Sequence, residues 1–242
     1  MTKGEIHVHN ASVVDIFCGA GGLSFGFKER GFGIDAGVDI DEGCRFPVET
    51  NVKAPFIRSD VTTLDASELE ELFIPGKMKI LVGCAPCQPF TRLSRKGLSE
   101  TRKAGRKRDS NLLREAVKFV ARFRPALVLS ENVQGIGAAK YGGVWDEFRA
   151  ALEELGYLTG SKVVCTSRFG VPQYRKRSIL LAARAELVKS ERLADLVGRE
   201  LLVPESDPST VMVTVREAID HLPPIGAGEA HFDIPNHRTR TL

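Results

Sequence analysis

Short apolar segments alternate with amphipathic helical patterns over the first 183 residues, and this alternation constrains the fold more than any other feature. Strands are predicted at Ser12–Phe17, Ile34–Val38, Lys79–Gly83, Ala126–Ser130, Lys162–Thr166 and Ser178–Ala182. Helices are predicted at Leu23–Arg30, Glu42–Asn51, Ala66–Phe73, Asn111–Arg122 and Val144–Leu155. Such alternation with right-handed crossovers gives a parallel sheet covered by helices on both faces. We therefore predict an α/β fold with a doubly wound, mostly parallel sheet.

The pattern weakens after Ala183. A charged stretch leads to a turn region at Pro204–Pro208, a short helix at Thr214–Leu222 and an end rich in proline, glycine and histidine. We predict one domain over residues 1–183 and an extension over residues 184–242. Because this end has no closing strand or helix, a further lobe is expected to follow.

The composition excludes several classes of protein. The 242 residues are 43% hydrophobic and 27% charged, which is typical of a soluble globular protein and not of a disordered chain. No apolar run approaches the ~20 residues that span a bilayer, and the first residues do not resemble a signal peptide, so a cytoplasmic protein is expected. Five cysteines in such a compartment imply neither a disulfide framework nor a metal site.

Positive charge is concentrated in one segment. Residues 92–108 contain eight Lys or Arg and one Glu, a net +7, so the rest of the chain carries 3 − 7 = −4. A basic segment on an otherwise acidic chain suits a polyanion such as nucleic acid. A solvated loop is the alternative.

A glycine-rich turn follows the first predicted strand, in the sequence Asp15-Ile-Phe-Cys-Gly-Ala-Gly-Gly22. Glycines let the chain turn sharply from strand to helix and let its backbone approach a ligand. Asp39 ends the second strand, where an acid can accept both hydroxyls of a ribose. A further strand, counted here as the third, ends at Ser59–Val61, where Asp60 can meet an adenine amino group. This spacing fits an adenosine-type cofactor, and it departs from the motifs typical of NAD and ATP sites.

A candidate nucleophile, a carboxylate and a basic segment follow later strands. Cys87 lies between prolines after the fourth strand, on a turn next to basic residues that favour a thiolate, although a free cysteine is more often a small core residue. Glu131 ends the fifth strand and is expected beside the end of the fourth. On an extended chain Gln173, Arg175 and Arg177 share one face. A carboxylate satisfied by backbone amides and a solvated basic patch are the alternatives.

Together these segments resemble the cytosine-5 DNA methyltransferase family. The resemblance lies in DIFCGAGGLS at 15–24, APCQPFT at 85–91, ENV at 131–133 and QYRKR at 173–177, with Asp39 and Asp60 between them, all in the family's order. It implies a Rossmann-like methyltransferase fold and S-adenosylmethionine as the cofactor, with residues 1–183 as the catalytic and cofactor-binding domain. The cofactor-binding residues that it implies are Phe17, Gly19, Gly21, Gly22, Asp39, Ile40, Asp60, Val61, Pro86 and Leu112.

The resemblance also implies a mechanism. Cys87 would add to carbon 6 of a flipped-out cytosine, which makes carbon 5 nucleophilic, and Glu131 would protonate or hydrogen-bond ring nitrogen 3. Arg175 would contact the base carbonyl oxygen, and Arg177 would position the Cys87 and Glu131 regions. Duplex DNA would contact Gln88, Arg92, Arg95, Lys96, Arg106, Lys107 and Arg108 on a mobile loop. No metal is implied.

Three questions stay open from the sequence. The family expects a target-recognition lobe after Leu242, so the chain is either truncated or one subunit of a split enzyme whose second polypeptide supplies that lobe. Transfer RNA is an alternative substrate, since one branch of the family methylates RNA. A non-catalytic DNA-binding subunit is the alternative from another functional class. Such a subunit would be expected to have lost catalytic residues, whereas the sequence retains all four of them: Cys87, Glu131, Arg175 and Arg177.

Overall fold

A computed structural model describes residues 8–86, 112–137, 143–188, 210–234 and 238–239. The chain divides into two compact units. The first comprises Met1–Val164 and Lys176–Glu205, and the second comprises Cys165–Arg175 and Ser206–Leu242.

The first unit is built on a seven-stranded sheet. Its strands are β1 (Ala11–Ile16), β2 (Ile34–Asp39), β3 (Phe56–Arg58), β4 (Met78–Gly83), β5 (Leu127–Val133), β6 (Tyr157–Cys165) and β7 (Lys176–Arg184). The order across the sheet is β3-β2-β1-β4-β5-β7-β6. The pairs among β1 to β5 are parallel, and β7 is antiparallel to β5.

The helices connect successive strands. They are α1 (Gly22–Glu29), α2 (Arg45–Pro47), α3 (Ala66–Glu71), α4 (Leu112–Phe123), α5 (Val144–Glu154) and, in the second unit, α6 (Val215–Ile219). The predicted helix over 42–51 forms as three consecutive helical stretches, a tight turn at Glu42–Cys44, then α2, then wide turns at Val48–Val52.

Burial on both faces of the sheet explains the apolar strand sequences. All six residues of β1 are buried, as a central parallel strand requires. On one face α4 and α5 pack against the sheet through an apolar stripe that includes Phe119, Val120 and Leu152. Each such side chain contributes roughly 1.5–3 kcal/mol by leaving water.

The predicted fold class is confirmed, and the largest difference at a predicted boundary is the start of β6. β6 begins at Tyr157, five residues before the predicted strand. Gly156, with φ of +82°, ends the preceding helical turn, and the buried Tyr157 hydroxyl donates to the Pro125 carbonyl at 2.6 Å. The strand therefore starts directly after the helix. No helix among the described residues is long and apolar enough to cross a membrane.

Candidate active site

Polar side chains and tight turns meet at the carboxyl edge of the parallel strands. The register pairs Ile16 of β1 with Val38 of β2 and with Gly83 of β4, and Gly83 with Ser130 of β5. The residues that follow these positions therefore come together at one edge, which is where doubly wound sheets bind ligands.

An open pocket of about 470 Å³ lies at this edge. It is lined by residues from the ends of four strands and from the start of α4: Phe17, Asp39, Ile40, Ser59, Asp60, Val61, Pro86 and Leu112. Seven of these eight are residues for which the sequence predicts a cofactor contact. Ser59 is the additional one. It directly precedes Asp60, so only the position of β3 relative to the pocket reveals it.

The glycine turn between β1 and α1 has an unusual backbone. Phe17 has φ of +61°, a conformation that a bulky residue rarely adopts, and Gly19 has φ of +51°. No described atom lies within 4 Å of a Cβ placed on Gly19 or Gly22, so a ligand has room beside both.

Gly21 differs from Gly19 and Gly22 in its surroundings. It has φ of +81°, and a Cβ placed there would lie 2.6 Å from Val52 Cγ2. The predicted role of Gly21 is a cofactor contact, whereas the structure shows it packed against the wide helical turns at Val48–Val52. Its small size is needed for that packing.

Asp39 connects the glycine turn to the next strand end. Its Oδ2 accepts a hydrogen bond from the Gly19 amide at 2.9 Å, and its Oδ1 accepts one from the Asp41 amide at 3.0 Å. Asp60 stabilises its own turn, since its Oδ1 accepts hydrogen bonds from the amide and hydroxyl of Thr62 at 3.0 and 2.8 Å. Both carboxylates are thus held in fixed orientations at the pocket.

Asp15 lies beneath the glycine turn and is 1% exposed. Its Oδ2 accepts a hydrogen bond from the Ser24 hydroxyl, which joins β1 to α1, and its Oδ1 has no hydrogen-bond partner among the described residues. Burial raises the pKa of this carboxyl to about 7, against the opposing effect of the Ser24 hydrogen bonds. The buried Cys18 thiol also has a raised pKa, because of burial and the nearby Asp15 and Asp39, so it stays protonated and unreactive.

Glu131 and Arg177 form an ion pair across the antiparallel strands β5 and β7. The Arg177 Nε donates to Glu131 Oε1 at 2.6 Å, and the two side chains are only 15% and 28% exposed. The register pairs Val133 with Arg177, which places the guanidinium beside the carboxylate. A carboxylate fixed in this way at the strand end presents a defined hydrogen-bonding group to a ligand.

A hydrogen bond connects the residues that follow β4 to the end of β5. The buried Asn132 donates from Nδ2 to the Ala85 carbonyl at 3.0 Å, and its Oδ1 accepts from the Val133 amide at 2.9 Å. Cys84 lies beside Glu131, and burial together with that carboxylate raises the pKa of its thiol. Cys84 therefore remains a neutral thiol.

The structure brings two of the predicted catalytic residues together. Glu131 and Arg177 meet, whereas Arg175 belongs to the second unit. Cys87 and the predicted DNA contacts Gln88, Arg92, Arg95, Lys96, Arg106, Lys107 and Arg108 lie outside the described residues. The predicted shared face of Gln173, Arg175 and Arg177 is not formed by one strand, because β7 begins only at Lys176. The described part of the chain has no cluster of His, Cys, Asp or Glu suited to a metal ion.

A family profile described as C-5 cytosine-specific DNA methylase matches residues 11–222. The chain belongs to this family. The match covers the whole carboxyl edge of the sheet, from the glycine turn to the Glu131–Arg177 pair.

Several bacterial methylases of known sequence are similar to the chain. It is 36% identical over 178 residues to the Type II methylase M.HgiDII of Herpetosiphon aurantiacus, covering 74% of this chain and 48% of that protein. It is 29% identical to the Type II methyltransferase M1.HphI of Haemophilus parahaemolyticus, over the full chain and 62% of that protein. The chain thus spans about half the length of the curated relatives that it matches.

Solved structures of similar fold include two methyltransferases. A protein described as a DNA modification methyltransferase encoded within an E. coli prophage superposes with a TM-score of 0.69 at 24% identity, covering 91% of this chain and 57% of that one. Spodoptera frugiperda DNMT2 superposes with a TM-score of 0.55 at 22% identity, covering 72% and 50%. These structures confirm the Rossmann-like methyltransferase fold.

Proposed function

We propose that the chain carries the catalytic half of an enzyme that transfers a methyl group from S-adenosylmethionine to carbon 5 of cytosine in duplex DNA. The observation that carries this proposal is the shared edge of the sheet, where the pocket with Asp39 and Asp60 adjoins the strand ends of Cys84 and Glu131. The names of the relatives favour a restriction-modification context. We expect the reaction to take place in the cytoplasm, at the nucleoid if the cell is bacterial.

The residues of the pocket fit this cofactor. Asp39 has a carboxylate fixed at the end of β2, suited to ribose hydroxyls, and Ile40 and Phe17 supply apolar surface for a purine ring. Asp60 and Val61 would meet the adenine edge, with Pro86 and Leu112 closing the other wall. The open space beside Gly19 and Gly22 leaves room for the methionine portion. When bound, S-adenosylmethionine supplies an electrophilic methyl group on a sulfonium sulfur.

The residues of this chain would activate the base. The Cys87 thiolate forms a bond to carbon 6 of a flipped-out cytosine, which moves electron density onto carbon 5 and toward ring nitrogen 3. Glu131 hydrogen-bonds or protonates that nitrogen, and Arg177 holds the Glu131 carboxylate in place. After carbon 5 has gained the methyl group, loss of its proton to a base and departure of the Cys87 sulfur from carbon 6 restore the aromatic ring. Arg175 is proposed to contact the base carbonyl oxygen.

The portion of the relatives that this chain does not span is proposed to carry sequence recognition. It would be supplied either by further residues of the same polypeptide or by a second one. Transfer RNA remains the alternative substrate. The similarity to DNMT2 shows a shared fold and does not distinguish DNA from RNA as the substrate.

The test is methyl transfer from labelled S-adenosylmethionine to mixed-sequence duplex DNA and, in parallel, to transfer RNA. The chain is assayed alone and with extract of its source cells. Label in DNA supports the proposal. Label found only in RNA would mean that transfer RNA, and not DNA, is the substrate. Label in neither nucleic acid supports a non-catalytic DNA-binding subunit.

The covalent step has its own test. With DNA that contains 5-fluorocytosine, the absence of a proton on carbon 5 blocks the last step, so a denaturant-stable protein–DNA complex accumulates. Cys87→Ser should abolish both this complex and methyl transfer while cofactor binding persists. Cys44→Ser, a matched control that replaces a free thiol not lining the pocket, should change neither. Turnover by Cys87→Ser at a near-normal rate would rule out the covalent route.

A further inference from the structure

The segment Cys165–Arg175 of the second unit is exposed and carries only positive charge. It contains Arg168 and Arg175 and no acidic residue, and no Asp or Glu occurs anywhere between Glu154 and Glu186. Neither guanidinium forms an ion pair with an acidic side chain of the described residues. Most of the described arginines of the first unit do so, for example Arg45 with Glu42 and Arg114 with Glu147. The two charges in this segment are therefore available to a partner.

The same segment exposes apolar side chains. Phe169 is 47% exposed, Val171 is 42% exposed and Tyr174 is 77% exposed. Aromatic and arginine side chains on one loop are typical of surfaces that bind a partner, since aromatic rings give contact area with little loss of rotamer freedom.

Internal hydrogen bonds hold this segment in one shape. The Thr166 amide donates to the Arg175 carbonyl at 2.9 Å, and the Thr166 hydroxyl donates to the Gln173 carbonyl at 2.6 Å. The helical turn at Thr166–Phe169 ends at Gly170, which has φ of +78°. A loop that is already ordered loses little conformational entropy on binding, so its exposed side chains contribute more of their contact energy.

We propose that the segment Cys165–Arg175 binds the sugar–phosphate backbone of duplex DNA, with Arg168 at a phosphate and Phe169 against a deoxyribose. The proposal rests on the proposed function, and charge complementarity carries it. Residues 155–185 contain basic side chains and no acid, a charge distribution that suits the phosphates of a polyanion. These contacts of Arg168 and Phe169 would be additional to the DNA contacts that the sequence predicts in residues 92–108.

The experiment measures the affinity of the full chain for a labelled mixed-sequence duplex over a series of salt concentrations. Each phosphate contact contributes about 0.9 to the slope of log K against log salt. Arg168→Gln should therefore reduce the magnitude of the slope by about 0.9, and Arg168→Lys should restore it. Arg30→Gln is the matched control, because it removes the same charge from an exposed position after α1, and its slope should equal that of the unaltered chain.

A second variant separates apolar contact from charge. Phe169→Ser should weaken DNA binding several-fold at every salt concentration and leave the slope unchanged. All these positions are exposed, so the melting temperatures of the variants should match that of the unaltered chain.

The outcomes distinguish this proposal from the proposed function. An unchanged slope for Arg168→Gln, in a chain that still binds and methylates DNA, overturns the contact and leaves the function standing. An unchanged DNA affinity in both variants, together with loss of binding to a polypeptide from the source cells, assigns the surface to a protein. If the unaltered chain neither binds nor methylates DNA, either alone or with extract of its source cells, both proposals fail.

Discussion

Arg177 Nε and Glu131 Oε1 are 2.6 Å apart, and this ion pair connects β7 to the adjacent antiparallel strand β5. A partly buried pair of this kind fixes a carboxylate in one orientation, and removal of one partner leaves the other charge without compensation. The pair makes Glu131 depend on a residue 46 positions later in the chain.

This dependence leads to the first prediction. Arg177→Gln should lower kcat of methyl transfer at least tenfold, because Glu131 is no longer held, and the dissociation constant of S-adenosylmethionine should change less than twofold. Single-turnover kinetics and calorimetric titration measure the two effects. Arg122→Gln, which removes an exposed guanidinium that lies 4.0 Å from its partner Glu70, should retain full activity. Equal losses in both variants would show that Arg177 acts only through overall charge.

The second prediction concerns Asp39. Asp39→Asn should raise the dissociation constant of S-adenosylmethionine at least tenfold, since the side chain loses one acceptor for the Gly19 or Asp41 amide as well as its charge. Asp41→Asn is a matched control, because Asp41 is exposed and its Oδ1 only accepts from the Gly43 amide. Its affinity should be unchanged, and a comparable loss in both variants would place the ribose elsewhere.

The third prediction separates two neighbouring glycines. Gly21→Ala should lower the free energy of unfolding by about 1–3 kcal/mol, because the new Cβ meets Val52 and the φ of +81° is unfavourable for alanine. Gly22→Ala has space and lies at the start of α1, so stability should be retained while cofactor affinity falls. Thermal unfolding and titration of the same two variants provide the measurements. If Gly22→Ala binds the cofactor normally, the ligand does not approach that residue.

The fourth prediction is a pH dependence of stability from Asp15. The pKa of this carboxyl is about 7 in the folded protein and near 3.8 in the unfolded chain, so between these values the folded state binds the proton more strongly. Stability should therefore fall as pH rises from about 4 to 7, by on the order of 2–4 kcal/mol in total. Above pH 7 this contribution is constant.

Asp15→Asn should remove this part of the pH dependence, because an amide can still accept from Ser24 but cannot ionise. The free energy of unfolding of both proteins, measured by denaturant titration at several pH values, gives the difference. A constant difference between the two across this range would mean that Asp15 does not titrate there.

The sequence predicts the order of the helices and strands and the position of Glu131 at the end of a strand, because both depend on local periodicity. It predicts Glu131 beside the end of β4, and the parallel register of Gly83 with Ser130 bears this out. It does not predict the hydrogen bond from Asn132 to Ala85, since 47 residues separate them and only the strand register brings them together. Nor does it reveal that Gly21 faces Val52, because a glycine motif has the same letters whether its space is filled by protein or by ligand.

The division of the second unit has a consequence for synthesis. Cys165–Arg175 lies between β6 and β7, and the rest of this unit begins only at Ser206. During synthesis all seven strands of the sheet are made before Ser206, so the segment Cys165–Arg175 is complete some thirty positions before the rest of its unit begins. The second unit therefore completes last. A chain that ends before residue 206 would contain every strand of the sheet but only the smaller of the two segments that form the second unit.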